Sequence, residues 1–116
     1  RRFLLVHGTP RDPLDEYVMK DEAAWAQRVR DAEADIVCVG HSHMQFNLVA
    51  DGVVILNPGS VGQPRDGDPR AAWLELDTEA WTARWHRVEY DIEGAAAAIR
   101  AAGLPGVLAE RLEVGR

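Results

Sequence analysis

The chain has 116 residues, of which 47% are hydrophobic and 28% charged, and its formal net charge is −6. That is enough for one domain with a real core, while the acidic balance argues against an extended nucleic-acid surface, which needs a basic stripe. No apolar run approaches the roughly 20 residues of a membrane span, and the single cysteine, Cys38, excludes an internal disulfide. Arg1 and Arg2 precede only the short apolar run FLLV, so no secretory leader is expected and the expected compartment is the cytoplasm.

Residues 3–7, FLLVH, read as a short buried strand stopped by Gly8, and TPRDP after them is loop chemistry. From Asp21 to Ala34, alanines and Val29 with interleaved charges favour a helix. Asp35 leads into IVCV, a second buried strand ending at Gly40. Strand, helix and strand in that order predict a βαβ unit with neighbouring parallel strands. FNLVADGVVIL then gives two short strands about Asp51-Gly52, a dipeptide that favours a type I′ hairpin. NPGSVGQPRDGDPR is a long loop, AAWLELD and WTARWHRVEY alternate as two antiparallel strands, and IEGAAAAIRAAG and LPGVLAERLEV close the chain as helices. There are no repeats and no linker.

The chemistry gathers in IVCVGHSHMQF, where a buried-type strand ends in Gly40-His41-Ser42-His43. In an extended segment, residues two apart point to the same side, roughly 6.5 Å apart at the backbone. Two imidazoles on one zinc ion need nitrogens within about 3.5 Å, so the spacing suits two ions about 3.5–4 Å apart better. His7 also ends an apolar strand and is followed by Gly. If the two strands are parallel neighbours, His7 and His41 come side by side at the carboxyl edge of the sheet, where open α/β sheets bind ligands. A lone histidine is ordinarily a hydrogen-bonded surface residue, and that is the reading for His86, placed mid-strand with no ligand-like neighbour. The candidate metal set lacks carboxylates. Asp12, Asp15, Asp66 and Asp68 all lie in proline-punctuated loops, and a hydrolytic ion pair calls for one that bridges it.

LLVHG, VCVGHSH and ILNPGSVGQPRDGDPRAAW resemble, over nearly the whole chain, the second half of the calcineurin-like metallophosphoesterases, and in particular their small bacterial and archaeal phosphodiesterase branch. GHSH matches the family's GH[ST]H motif, and NPGSVGQPR is more specific to the branch. The resemblance implies an α/β fold, a two-sheet β-sandwich flanked by helices, with a binuclear metal centre at the strand ends. His7 and His41 would bind one ion and His43 the other. A metal-bridging hydroxide would attack the phosphorus of a phosphodiester or phosphomonoester in line. The family's Asp-x-His, Gly-Asp-x-x-Asp and Gly-Asn blocks, which carry the remaining ligands, are absent. The chain is therefore expected to be the C-terminal half of one domain, residues 1–116, inactive without the N-terminal half. Mixed imidazole and oxygen ligands suit two divalent ions from among Mn, Fe, Ni and Zn.

The substrate class so implied is a small phosphate ester or nucleotide. Arg65, in the glycine-rich loop, and Arg11, in the loop after His7, are the candidate substrate contacts. Arg65 could equally stand in a surface ion pair, and Asn57 is expected only to fix a tight turn that braces the metal loops. Trp25, Trp73, Trp81 and Trp85 read as packing residues rather than a base-stacking platform, with Trp81 and Trp85 on one face of a late strand. Two alternatives compete with the enzyme: a protein-binding module on the same scaffold, as in a retromer subunit, and an amidohydrolase-type two-metal site. The second is disfavoured because its H-x-H follows the first strand of a barrel.

Overall fold

The computed structural model describes all 116 residues, in two compact units, Arg1–Pro58 and Gly59–Arg116. In the first unit the elements are β1 (Phe3–Leu5), α1 (Glu22–Val29), β2 (Ile36–Cys38), β3 (Gln45–Ala50) and β4 (Val53–Pro58). They form a four-stranded sheet in the order β1-β2-β4-β3. The pairs β1–β2 and β2–β4 are parallel, with Leu5 beside Cys38 and Cys38 beside Leu56, and β3–β4 is antiparallel. The strands β1, β2 and β4 therefore deliver their carboxyl ends to one edge of the sheet.

Helix α1 starts where Asp21, extended at φ −136°, accepts a hydrogen bond on its side chain from the Ala24 N–H (2.8 Å). Glu22 in the first turn and Arg28 in the last complement the helix dipole. The helix is shorter than alanine content alone suggests. After Val29 the chain tightens, with the Ala32 N–H on the Val29 carbonyl, and turns so that Asp35 and Ile36 can donate to the Arg2 carbonyl and enter the sheet. Trp25 and Val29 pack from α1 onto Val37, Val39, Phe46, Ala50, Val53 and Ile55, the core of this unit. Trp25 is 1% exposed, and its indole N–H donates to the Met19 carbonyl (2.9 Å), which satisfies the one polar atom the ring carries inward. The hairpin β3–β4 pairs Ala50 with Val53, leaving Asp51 (φ 50°) and Gly52 (φ 77°) as its two-residue loop, the positive angles a type I′ turn needs.

Strand β1 differs from the buried FLLVH expected. It ends at Leu5, before Val6 and His7, and Leu5 is 74% exposed. The reason is position: β1 pairs with β2 on one side only and is an edge strand of this sheet.

The second unit holds β5 (Ala71–Asp77), β6 (Thr82–Val88), α2 (Ile92–Ala101) and α3 (Gly106–Val114). The two strands form an antiparallel hairpin pairing Ala71 with Val88 and Asp77 with Thr82. Trp81 does not share a strand face with Trp85; it lies in the hairpin turn at φ 56°, and β6 begins one residue later. Asp91 caps α2 by accepting from the Gly94 N–H (2.8 Å), and α2 and α3 pack through Ala96, Ala109 and Leu112. The loop ahead of β5 is tied by Arg87, which pairs with Asp66 and donates to the carbonyls of Asp68 and Arg70. Its glycine N–H at Gly67 bonds the Gly115 carbonyl (2.8 Å), so the end of the chain is sewn to this loop.

Candidate metal centre

The parallel pairing of β1 and β2 brings two residues 34 positions apart into contact: His7 Nε2 lies 3.0 Å from His41 Nδ1. The rings are tilted at 50° with centroids 4.6 Å apart, and Tyr17 meets the His41 ring edge-on at 5.2 Å. On the far side, His41 Nε2 lies 3.2 Å from the backbone carbonyl of Asp15. A carbonyl only accepts, so Nε2 carries the hydrogen and Nδ1 is the lone-pair nitrogen turned toward His7. A ring held at one nitrogen by a backbone carbonyl, with the lone pair on the other, is the usual state of a metal-binding histidine, and here that lone pair accepts from His7 Nε2. The 3.0 Å between the facing nitrogens is also close to the ~3.5 Å that two imidazoles take on one zinc ion.

The segment from His41 to His43 is not extended. The N–H of Ser42 bonds the carbonyl of Gly40 two residues back (2.6 Å), which closes a γ-type turn centred on His41. His41 stands at φ 59° and His43 at φ 57°, both in the left-handed region, where a residue with a Cβ costs roughly 1–3 kcal/mol. Three hydrogen bonds hold this conformation. The Gly40 N–H donates to the His7 carbonyl (3.0 Å), tying the two strand ends together. Asn57, near the end of β4, donates its side-chain amide to the Gly40 carbonyl (2.9 Å) and to Ser42 Oγ (3.0 Å). Both Asn57 and Ser42 are buried. His43 is half-buried, and no three His, Cys, Asp or Glu side chains of the chain are grouped to hold a metal ion.

The Asp15 carbonyl reaches His41 because the loop after His7 folds back on itself. The Gly8 N–H bonds the Pro13 carbonyl and the Thr9 N–H the Asp12 carbonyl. Thr9, fully buried, donates its hydroxyl to Glu16, and Arg11 and Arg28 both pair with the same carboxylate. The Thr9 hydroxyl, and then the two guanidinium groups, hold the Glu16 carboxyl below the usual range against the opposing effect of burial. Two arginines share the one carboxylate, and Arg11 is exposed. Arg65, half-buried in the second unit, stands in no surface ion pair: its Nε and Nη2 both bond Gln63 Oε1 (3.1 and 2.8 Å). The neutral amide fixes the guanidinium plane without cancelling its charge.

His86 has a neighbour that the sequence reading missed. It stacks on Trp73, its partner across the hairpin, at 4.2 Å and 13°, and its Nε2 lies 3.1 Å from Glu75. Only the β5–β6 register brings Glu75 to it, and that register was not read from the sequence.

The family model of the calcineurin-like phosphoesterase superfamily domain matches residues 1–79. Over its whole length the chain is 35% identical to an uncharacterized protein of Methanocaldococcus jannaschii, covering 53% of that protein. It is 37% identical to a probable metallophosphoesterase of Bacillus subtilis, over 70% of this chain and 43% of that one. The crystal structure of a metallophosphoesterase from Sphaerobacter thermophilus superposes with a TM-score of 0.91 at 36% identity, covering 99% of this chain and 56% of that chain. A hypothetical protein from Pyrococcus horikoshii shares the fold at a TM-score of 0.87 and 21% identity, with 98% of this chain and 46% of that chain covered. The chain belongs to the calcineurin-like phosphoesterase superfamily and has the metallophosphoesterase fold. It spans about half the length of the relatives it matches. None of its helices is long and apolar enough to cross a membrane.

Proposed function

We propose that this chain supplies the histidine ligands of a metal-dependent phosphoesterase acting on small phosphodiesters or phosphomonoesters, nucleotides included. The observation that carries the reading is the facing pair His7 Nε2 and His41 Nδ1 at the carboxyl ends of two parallel neighbouring strands. In this reading His7 and His41 hold one divalent ion and His43 a second, drawn from Mn, Fe, Ni or Zn. Bound there, such ions supply positive charge against phosphoryl oxygens and lower the pKa of water. The carboxylates of a binuclear centre come from an N-terminal half of the same domain, of which residues 1–116 are the C-terminal half. The histidines act as ligands rather than as acids or bases. The Asp15 carbonyl fixes which nitrogen of His41 ligates, and the His7 carbonyl ties the two ligand-bearing strand ends.

Substrate is held by cations. Arg65, preset by Gln63, and Arg11, beside a carboxylate that it shares with Arg28, are the side chains assigned to the phosphate. Arg65→Ala is expected to raise KM for phosphate esters, and an unchanged KM across esters removes that contact.

The test is metal content by elemental analysis together with bis-p-nitrophenyl phosphate hydrolysis, on the full-length protein and on its His41→Ala variant. Near two ions per chain and metal-dependent hydrolysis, both reduced in His41→Ala, are expected. No bound metal and no hydrolysis after incubation with Mn, Ni and Zn would replace the enzyme with a protein-binding module on the same scaffold.

A further inference from the structure

Strand β4 alternates Val53, Ile55 and then Asn57 toward the core side of its sheet, where Asn57 stands opposite Phe46. A third apolar residue would continue that pattern, yet the position holds an amide that is 0% exposed. Burying an amide is unfavourable unless its hydrogens find acceptors. They do: one reaches the Gly40 carbonyl and the other Ser42 Oγ. Both acceptors belong to the γ-type turn, and the two residues flanking Ser42 are the left-handed His41 and His43. Left alone, a histidine in this region relaxes toward negative φ, which would swing its ring away. The amide bridges the residue before His41 to the residue after it, which opposes that relaxation directly.

We propose that Asn57 is a positioning residue, whose buried amide locks Gly40 to Ser42 in the γ-type turn and thereby aims the rings of His41 and His43. The proposal rests on the reading of those histidines as metal ligands and adds to it the device that presents them. Asparagine is suited to the task because a single NH₂ group serves both acceptors, and an aspartate or leucine has no donor to offer.

Asn57→Leu keeps a similar volume without the polar group, and a buried polar group replaced by an apolar one of like shape need not lose stability. The full-length variant is expected to fold, to bind Zn²⁺ roughly 10–100-fold more weakly by competition with a chelating dye, and to show altered ring ¹⁵N–¹H correlations for His41 and His43 in the metal-free state. Ser42→Ala, which removes one of the two bonds, is expected to show a smaller loss in the same direction. A folded Asn57→Leu with Zn²⁺ affinity within about twofold of wild type and unchanged ring spectra overturns the proposal and leaves Asn57 a packing residue. If Asn57→Leu does not fold, Ser42→Ala decides: unchanged affinity and spectra overturn the proposal equally. If the wild-type protein itself binds no Zn²⁺, the metal reading falls, while the ring spectra of the metal-free variants still decide whether Asn57 aims the rings.

Discussion

Gly8 and Gly40 both follow or precede a candidate ligand, and they are not equivalent. A Cβ on Gly40 would meet His7 Nδ1 at 3.6 Å, an ordinary contact, whereas one on Gly8 would lie 2.6 Å from the Asp12 carbonyl oxygen and 3.0 Å from that of Glu16. Backbone atoms cannot rotate aside, so Gly8→Ala must push the loop that carries the Asp15 carbonyl away from His41. The expected cost is roughly 1–3 kcal/mol, as for overpacking, read as a lower urea midpoint. An unchanged midpoint would show that the loop does not pack as described. Glycine is the residue type that bends a chain at least steric cost. The unfavourable angles fall on His41 and His43 instead, because Asn57 fixes the turn from outside it through Gly40 and Ser42. Adjacent residue types announced the histidines; Asn57 is expected to fix a tight turn bracing the metal loops, but its two bonding partners lie 15 and 17 positions before it and could not be read from sequence.

At the scale of elements, the βαβ order, the Asp51-Gly52 hairpin and the two closing helices were legible because each has local chemistry: buried runs, a turn dipeptide, alanine. What could not be read was where an element yields to its neighbours. Helix α1 stops at Val29 although alanines continue, since Asp35 and Ile36 must reach the Arg2 carbonyl. Trp81 falls in a turn although its neighbours alternate. The start of α1, by contrast, is local. Asp21 accepts from the Ala24 N–H, and Asp21→Ala is expected to destabilise the first unit by about 1 kcal/mol. Asp21→Asn, which retains an accepting oxygen, should recover most of that in thermal melts; equal losses in both variants would mean that the cap's charge matters more than its hydrogen bond.

For the molecule as a whole, stability in acid is expected to follow the Asp66–Arg70 loop. The Arg70 guanidinium, and then its backbone N–H, hold the Asp68 carboxyl at about 2, below its ordinary 3.8. The folded state thus binds this proton less readily than the unfolded chain. Its contribution is present in full above pH 3.8 and disappears as the pH falls through about 2. The Tm difference between wild type and Asp68→Asn should therefore be widest near neutral pH and close across that interval. A difference that stays constant down to pH 2 would assign the effect to packing. Family and fold were legible at this scale because GHSH and NPGSVGQPR are long enough to be specific. The pairing of His7 with His41 was legible only conditionally, on the strands being parallel neighbours.

That pairing also bears on the order of events as the chain folds. His7 and His41 are 34 residues apart and meet only through the β1–β2 ladder, with α1 between them. A cation gripped by both imidazoles acts as a late latch, closing a loop whose entropy has already been spent by the sheet. Such a latch would slow unfolding and leave the rate of first collapse almost untouched, so on the proposed reading the two ligand side chains would also set how long the native chain persists.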